Sequence, residues 1–245
     1  MFEDRNLDNY VEFLRKLADK YFFDVYLDTS KLNDINHQPK PNSFDETILN
    51  GNELNVELED VERDFNRVYP VGSCNIPLYV FNYTDYKLWK IYADELRGKG
   101  TKKGSKERNQ FFEKLGCSDF ELGAFENFYF SRTRKSLEHY YPQAKAGDNM
   151  PNINCFGNFA MIGSDANSSG SNWNPIDKKN HYLDTKSNQV SVASLKFRIM
   201  LQICQDNYDT GIKDENLKRP FGLEWNVDDM VRHQEKMFEI ILPKK

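Results

Sequence analysis

Glu138 and His139 stand side by side, and Asn158 and Asn167 follow nineteen and twenty-eight residues after the histidine. A carboxylate, an imidazole and amides are side chains that phosphodiester hydrolysis can use. That reaction needs an activated water, neutralisation of the charge that builds at phosphorus, and help for the leaving 3′ oxygen. A divalent cation beside a histidine supplies all three. Mg²⁺ prefers oxygen ligands and keeps several of its waters, so one carboxylate and one amide oxygen form a typical partial set. Glu138 and Asn167 suit those two places. On an extended strand end His139 points away from Glu138, because side chains alternate. It is then placed to act as general base, with a pKa close to working pH. Asn158 suits a positioning role, hydrogen-bonding the loop that carries His139. The chain holds four histidines, His37, His139, His181 and His233. His37 reads as a solvated loop residue, and His181 and His233 as structural residues on helices.

These residues need short strands and a helix to hold them. Residues 125–131 read as a strand that leads through Arg132 and Arg134 into the Glu-His pair. Residues 158–163 read as a second strand, and Pro175 to Leu183 as a helix. Around this unit the chain reads as helical. Leu7, Tyr10, Val11, Leu14, Leu17, Ala18, Tyr21 and Phe22 form an apolar stripe over 7–23, with Asn6 as N-cap and one wall of a helical core as the expected role. Further helices are expected over 56–68, 76–96, 190–207 and 227–242, the last capped by Asn226. Residues 28–56, rich in Asn, Asp, Pro and Ser, read as a long surface loop with room for one short helix. Residues 98–106 form a basic glycine-containing loop. Its Gly, Lys and Ser order is wrong for a nucleotide-binding P-loop. It reads as a flexible basic loop, with a DNA-backbone contact as the functional alternative.

Composition sets the limits. The chain has 245 residues, 39% hydrophobic, with a net charge of −5, a globular balance. No apolar run approaches a membrane span, and the acidic, polar start lacks the pattern of a secretion signal, so a cytoplasmic location is expected. Cys74, Cys117, Cys155 and Cys204 are scattered without a CxxC pair, which leaves no ligand set for a structural zinc. They read as reduced, mostly buried thiols, Cys155 among them in a packing role. Charge is uneven: 8 Lys/Arg against 16 Asp/Glu over residues 1–72, 13 against 9 over 73–145, and 12 against 13 over 146–245. The positive stretch runs up to the Glu-His pair, as a phosphate backbone would require.

The order acidic-His, Asn, Asn resembles the HNH (ββα-metal) nucleases. A closer resemblance is to the C-terminal nuclease domain of the GmrSD-type modification-dependent restriction endonucleases. It rests on Lys135-Ser136-Leu137-Glu138-His139-Tyr140-Tyr141-Pro142-Gln143, on Gly157-Asn158-Phe159, on Asn167-Ser168-Ser169-Gly170-Ser171-Asn172, and on Lys178-Lys179. Phe81 to Trp89 is similar to the helical region preceding that domain. The motif core spans 135–180, with looser similarity from about residue 75 onward. Leu137 and Phe159 replace residues more common in the family. The resemblance implies that Glu138 and Asn167 bind Mg²⁺ or Mn²⁺, that His139 is the base, and that Asn158 orients it. It implies DNA as substrate and leaves open plain DNA or DNA with modified cytosine. It also implies a nucleotide-hydrolysing partner domain or subunit with the ParB-like fold, which is not among these residues.

The expected architecture is α+β, mostly helical with a small ββα-metal motif. Residues 1–120 would form a helical region, and 121–245 the nuclease region with its catalytic core at 135–182. The expected function is a metal-dependent DNA endonuclease of a phage-defence restriction system. The alternative is a catalytically inactive DNA-binding or assembly module of such a system. Some roles stay open. Asn172 competes with Asn167 as metal ligand. Arg132 and Arg134 suit either a phosphate clamp or a salt-bridged strand end. Lys178 and Lys179 suit a solvated helix face touching DNA phosphates.

Overall fold

In the computed structural model the described residues are 6–27, 40–41, 43–54, 76–132, 134–147, 150, 153–163, 172–183 and 194–242. The expected helix over 56–68, His37, Cys74 and Asn167 lie outside them. Contacts divide the chain into two compact units, Met1–Pro70 and Val71–Lys245. This division falls well before the 120/121 boundary drawn from sequence, because the helices of residues 78–115 pack with the C-terminal part.

In the first unit α1 spans Leu7–Phe22, capped by the Asn6 side chain, which accepts from the Asp8 amide at 2.9 Å. It runs on into a π-helical turn, Phe23–Leu27. Phe22, Phe23 and Leu27 are buried, whereas Leu7, Tyr10, Val11 and Leu14 are exposed. The first half of the apolar stripe is therefore not a core wall, contrary to the sequence reading. A short α2, Phe44–Asn50, is capped by Ser43 and stopped by Gly51 in the left-handed region.

The second unit is α+β. Its helices are α3 (Leu78–Glu95), α4 (Lys106–Leu115), a single turn α5 (Gly123–Glu126), α6 (Pro175–Tyr182), α7 (Leu195–Lys213) and α8 (Val227–Ile241). Strands β1 (Arg134–His139) and β2 (Phe159–Gly163) pair antiparallel. The register sets Glu138 against Ala160 and His139 against Phe159, with an irregularity between Arg134 and Ser136. The strand expected at 125–131 is absent. Phe125 instead lies in an aromatic cluster with Tyr92, Phe111, Phe112 and Phe120, on the α5 turn. Burying Phe125 there fixes helical backbone at Phe125 and Glu126, and the rest of the aromatic run, residues 127–131, is irregular.

Helix α3 packs on α7, α8 and β2, and α6 packs on α7. One core is built from Tyr140, Tyr141, Ala160, Ile162, Ile176, Tyr182, Phe197, Met200, Leu201, Cys204, Trp225 and Met230. It lies under the strand pair and fixes the end of β1 from below. A buried polar node holds the other end. Asp85 on α3 receives Arg134 Nη1 at 2.6 Å, the Lys196 amide at 2.8 Å and Ser194 Oγ at 3.3 Å. One carboxylate thus joins α3, the start of β1 and the N-terminus of α7. Among the described residues no helix is long and apolar enough to cross a membrane.

Candidate functional site

Strand β1 ends at His139, β2 returns beside it, and α6 follows in sequence, so Glu138, His139 and Lys178 lie on two strands and a helix. The His139 ring is half-buried and lies against Phe159, its cross-strand neighbour, at 4.5 Å between centroids. Its Nε2 is 2.7 Å from Asn154 Oδ1. With the amide oxygen accepting, Nε2 carries the hydrogen and Nδ1 keeps the lone pair. Burial lowers the His139 pKa, the Asn154 hydrogen bond opposes that shift, and the charge of Lys178 adds to it. Burial thus favours the neutral ring that a base must present. Asn154 carried no signal in the sequence, since nothing in the motif spacing marks it.

Asn158 is fully buried, and its side chain spends all of its hydrogen-bonding capacity. Oδ1 accepts from the Tyr141 amide at 2.8 Å and from Trp225 Nε1 at 3.2 Å. Nδ2 donates to the carbonyls of Tyr141 and Ile153, both at 3.1 Å. The Asn158 carbonyl accepts from the Tyr140 amide at 2.9 Å. The turn after His139 is thereby tied to the loop that carries Asn154. Gly157 has its own reason. A Cβ there would lie 2.0 Å from the Met230 carbonyl oxygen on α8, so only glycine lets the two backbones approach.

Glu138 faces the other side of the strand, toward α6. It is buried, and its Oε1 accepts from Lys178 Nζ. The same ammonium donates to the His139 carbonyl at 2.5 Å. Lys178 has no solvent exposure. Burial raises the Glu138 carboxyl and lowers the Lys178 ammonium, and each charge opposes the other's shift. The sequence did hold one sign of this. Lys178 stands one helical turn before the buried Tyr182, on the same inward face of α6.

The expected DNA contacts separate accordingly. Arg132 is exposed. Arg134 is not a phosphate clamp: its guanidinium is buried, bound to Asp85 and, at 3.0 Å, to Asn82 Oδ1. Lys178 is not on a solvated face. Lys179 is partly exposed and donates to Gln205 Oε1. Asn172 is exposed, and Asn167 lies outside the described residues. His181 is exposed on α6 against Trp173, at 4.9 Å between ring centroids. Cys155 packs on the core, and burial raises its thiol pKa, as expected for a packing residue rather than a nucleophile.

Glu138 and the His139 carbonyl are two hard oxygens of the kind Mg²⁺ prefers. As arranged they hold an ammonium, and they do not fit a divalent ion as well. A metal at Glu138 would have to expel Lys178 and leave its charge buried and unpaired, at a cost of about 3–5 kcal/mol. A site of millimolar affinity releases only about 4 kcal/mol. Displacement would therefore consume the whole of such an affinity. Among the described residues no group of three or more His, Cys, Asp or Glu side chains is placed to hold a metal.

Comparisons with protein-family models, with curated proteins and with solved structures return no match.

Proposed function

We propose that the chain cleaves DNA phosphodiester bonds with His139 as general base, as an HNH-type component of a GmrSD-like phage-defence restriction system. The observation that carries this reading is the two strands and helix with His139 at the end of the first strand and Nδ1 holding the lone pair. Asn154 holds the ring at Nε2, and Asn158 holds the turn that follows. Nδ1 takes a proton from the attacking water as its oxygen bonds to phosphorus, the bond from phosphorus to the 3′ oxygen breaks, and the leaving 3′ oxygen takes a proton from solvent. Arg132, exposed just before β1, is suited to a backbone phosphate. The resemblance brings Mg²⁺ or Mn²⁺ with it. No step is assigned to a metal here, because Glu138 is closed by Lys178.

That closure favours a second reading, a DNA-binding module without turnover. One experiment separates the two. Plain, hydroxymethylated and glucosylated plasmids are incubated with the purified chain, in Mg²⁺, in Mn²⁺ and in EDTA, beside His139→Ala. The hydrolytic reading expects nicking that falls about 10²–10⁴-fold in His139→Ala, the usual worth of a general base. Salt-sensitive DNA binding with no nicking in any condition, unchanged by the substitution, would replace it with the binding module.

A further inference from the structure

We infer that the Lys178 ammonium is the resident cation of this centre and stands where a nuclease of this type would hold its divalent ion. The inference rests on reading the β1–β2–α6 unit as a nuclease-type centre. The resemblance expects a divalent ion on Glu138, at the end of β1. Here the cation comes from the helix itself. Lys178 reaches from α6 to the Glu138 carboxylate and, at 2.5 Å, to the His139 carbonyl. Both partners are oxygens, both belong to the last two residues of β1, and both are acceptors that a metal would use. The side chain is wholly buried and Glu138 nearly so, so neither partner is a solvated surface group that happens to meet the other.

The helix is held in place for this contact by bonds that do not involve the ion pair. Tyr140 Oη donates to the Pro175 carbonyl at 3.0 Å, and Lys145 Nζ donates to Asn174 Oδ1 at 2.7 Å. Ile176 and Tyr182 are buried in the core on either side of Lys178. The ammonium therefore does the clamping work of a metal, joining β1 to α6. It faces no solvent, so its part in any chemistry is to position the His139 backbone rather than to touch a phosphate.

The test counts bound Mn²⁺ by the loss of the free-ion spin-resonance signal while the full chain is titrated. It compares wild type, Glu138→Gln, Lys178→Met and the double variant, each checked for native circular dichroism. Wild type and Glu138→Gln are expected to give the same curve. Lys178→Met is expected to gain one Mn²⁺ per chain, at least tenfold tighter than wild type, and the double variant is expected to lose that gain. One Mn²⁺ on wild type that disappears in Glu138→Gln overturns the inference. So does a folded Lys178→Met that gains nothing, because a plain buried ion pair would then be all there is. Should Lys178→Met not fold, Lys178→Gln takes its place with the same expected gain, and unequal wild-type and Glu138→Gln curves overturn the inference in either case. The readout is independent of turnover, so an inactive wild type would sink the hydrolytic reading and leave this one standing.

Discussion

At the scale of single residues, the groups that hold the candidate site are more deeply committed than the group that would do chemistry. His139 makes one side-chain hydrogen bond, to Asn154, and is half-buried. Asn158 makes four, all in the interior. Replacing it with alanine strands the Tyr141 amide and the Trp225 indole N–H, each a buried donor whose lost partner costs about 1–3 kcal/mol. Asn158→Ala should therefore lower unfolding free energy by about 3 kcal/mol in urea titration. It should also loosen the turn after His139. Asn158→Asp keeps the acceptor but sets a buried carboxylate against the Tyr141 and Ile153 carbonyls, and should cost at least as much as alanine. An alanine variant within 0.5 kcal/mol of wild type, the range of an ordinary surface change, would mean that the turn is held by something else.

At the scale of elements, what the sequence revealed followed local chemistry, and what it hid depended on distant partners. Helices with side-chain caps were legible. Asn6 and Asn226 cap α1 and α8, and Asn226 closes a capping box with Asp229. Helix α6, with Pro175 at its first position, and strand β2 were also legible within a residue or so. Helix α4 was passed over, although Ser105 at its start and Gly116 at its end with φ 78° mark both limits. Strand β1 was placed too early, because its own residues, Arg-Lys-Ser-Leu-Glu-His, carry no apolar alternation. Two of its charges are buried, and their partners lie 49 and 40 residues away, at Asp85 and Lys178. No periodicity encodes such pairs. The Arg134–Asp85 pair gives the element-scale prediction. Breaking it from either side leaves a buried charge, so Arg134→Met and Asp85→Leu should each cost about 3–5 kcal/mol. The double variant should cost clearly less than the sum, because the stranded charge is gone. Additive losses in a denaturant-measured double-mutant cycle would show that the two side chains do not act as a pair.

At the scale of the whole second unit, two buried basic groups join Lys178 in shaping how stability should respond to pH. Lys196 is wholly buried. Its ammonium donates to the Phe159 carbonyl at 2.6 Å and sits 4.6 Å from the centre of the Phe156 ring, and burial pulls its pKa down to about 7. His233 on α8 is buried with neither ring nitrogen hydrogen-bonded, and burial, helped by the charge of Lys196, holds its pKa well below the ordinary value. In both cases the unfolded chain binds the proton more tightly than the folded one, so folding is favoured as pH rises. For Lys196 the window opens near pH 7 and closes near the ordinary lysine value of about 10.4. For His233 it lies below about 6.5, where the unfolded imidazole takes up a proton that the folded one refuses. Each group contributes a slope of up to about 1.4 kcal/mol per pH unit within its window. Wild type should gain stability between pH 7 and 9 by urea unfolding, and Lys196→Met should show a smaller rise, the remainder belonging to buried Lys178. His233→Leu should remove part of the loss seen below pH 6 and leave the alkaline limb unchanged. If Lys196→Met kept the whole alkaline rise, the ammonium would be solvated or paired in the folded chain. The Lys196 side chain would then not lie in the buried surroundings that Phe81, Phe156 and Met200 give it.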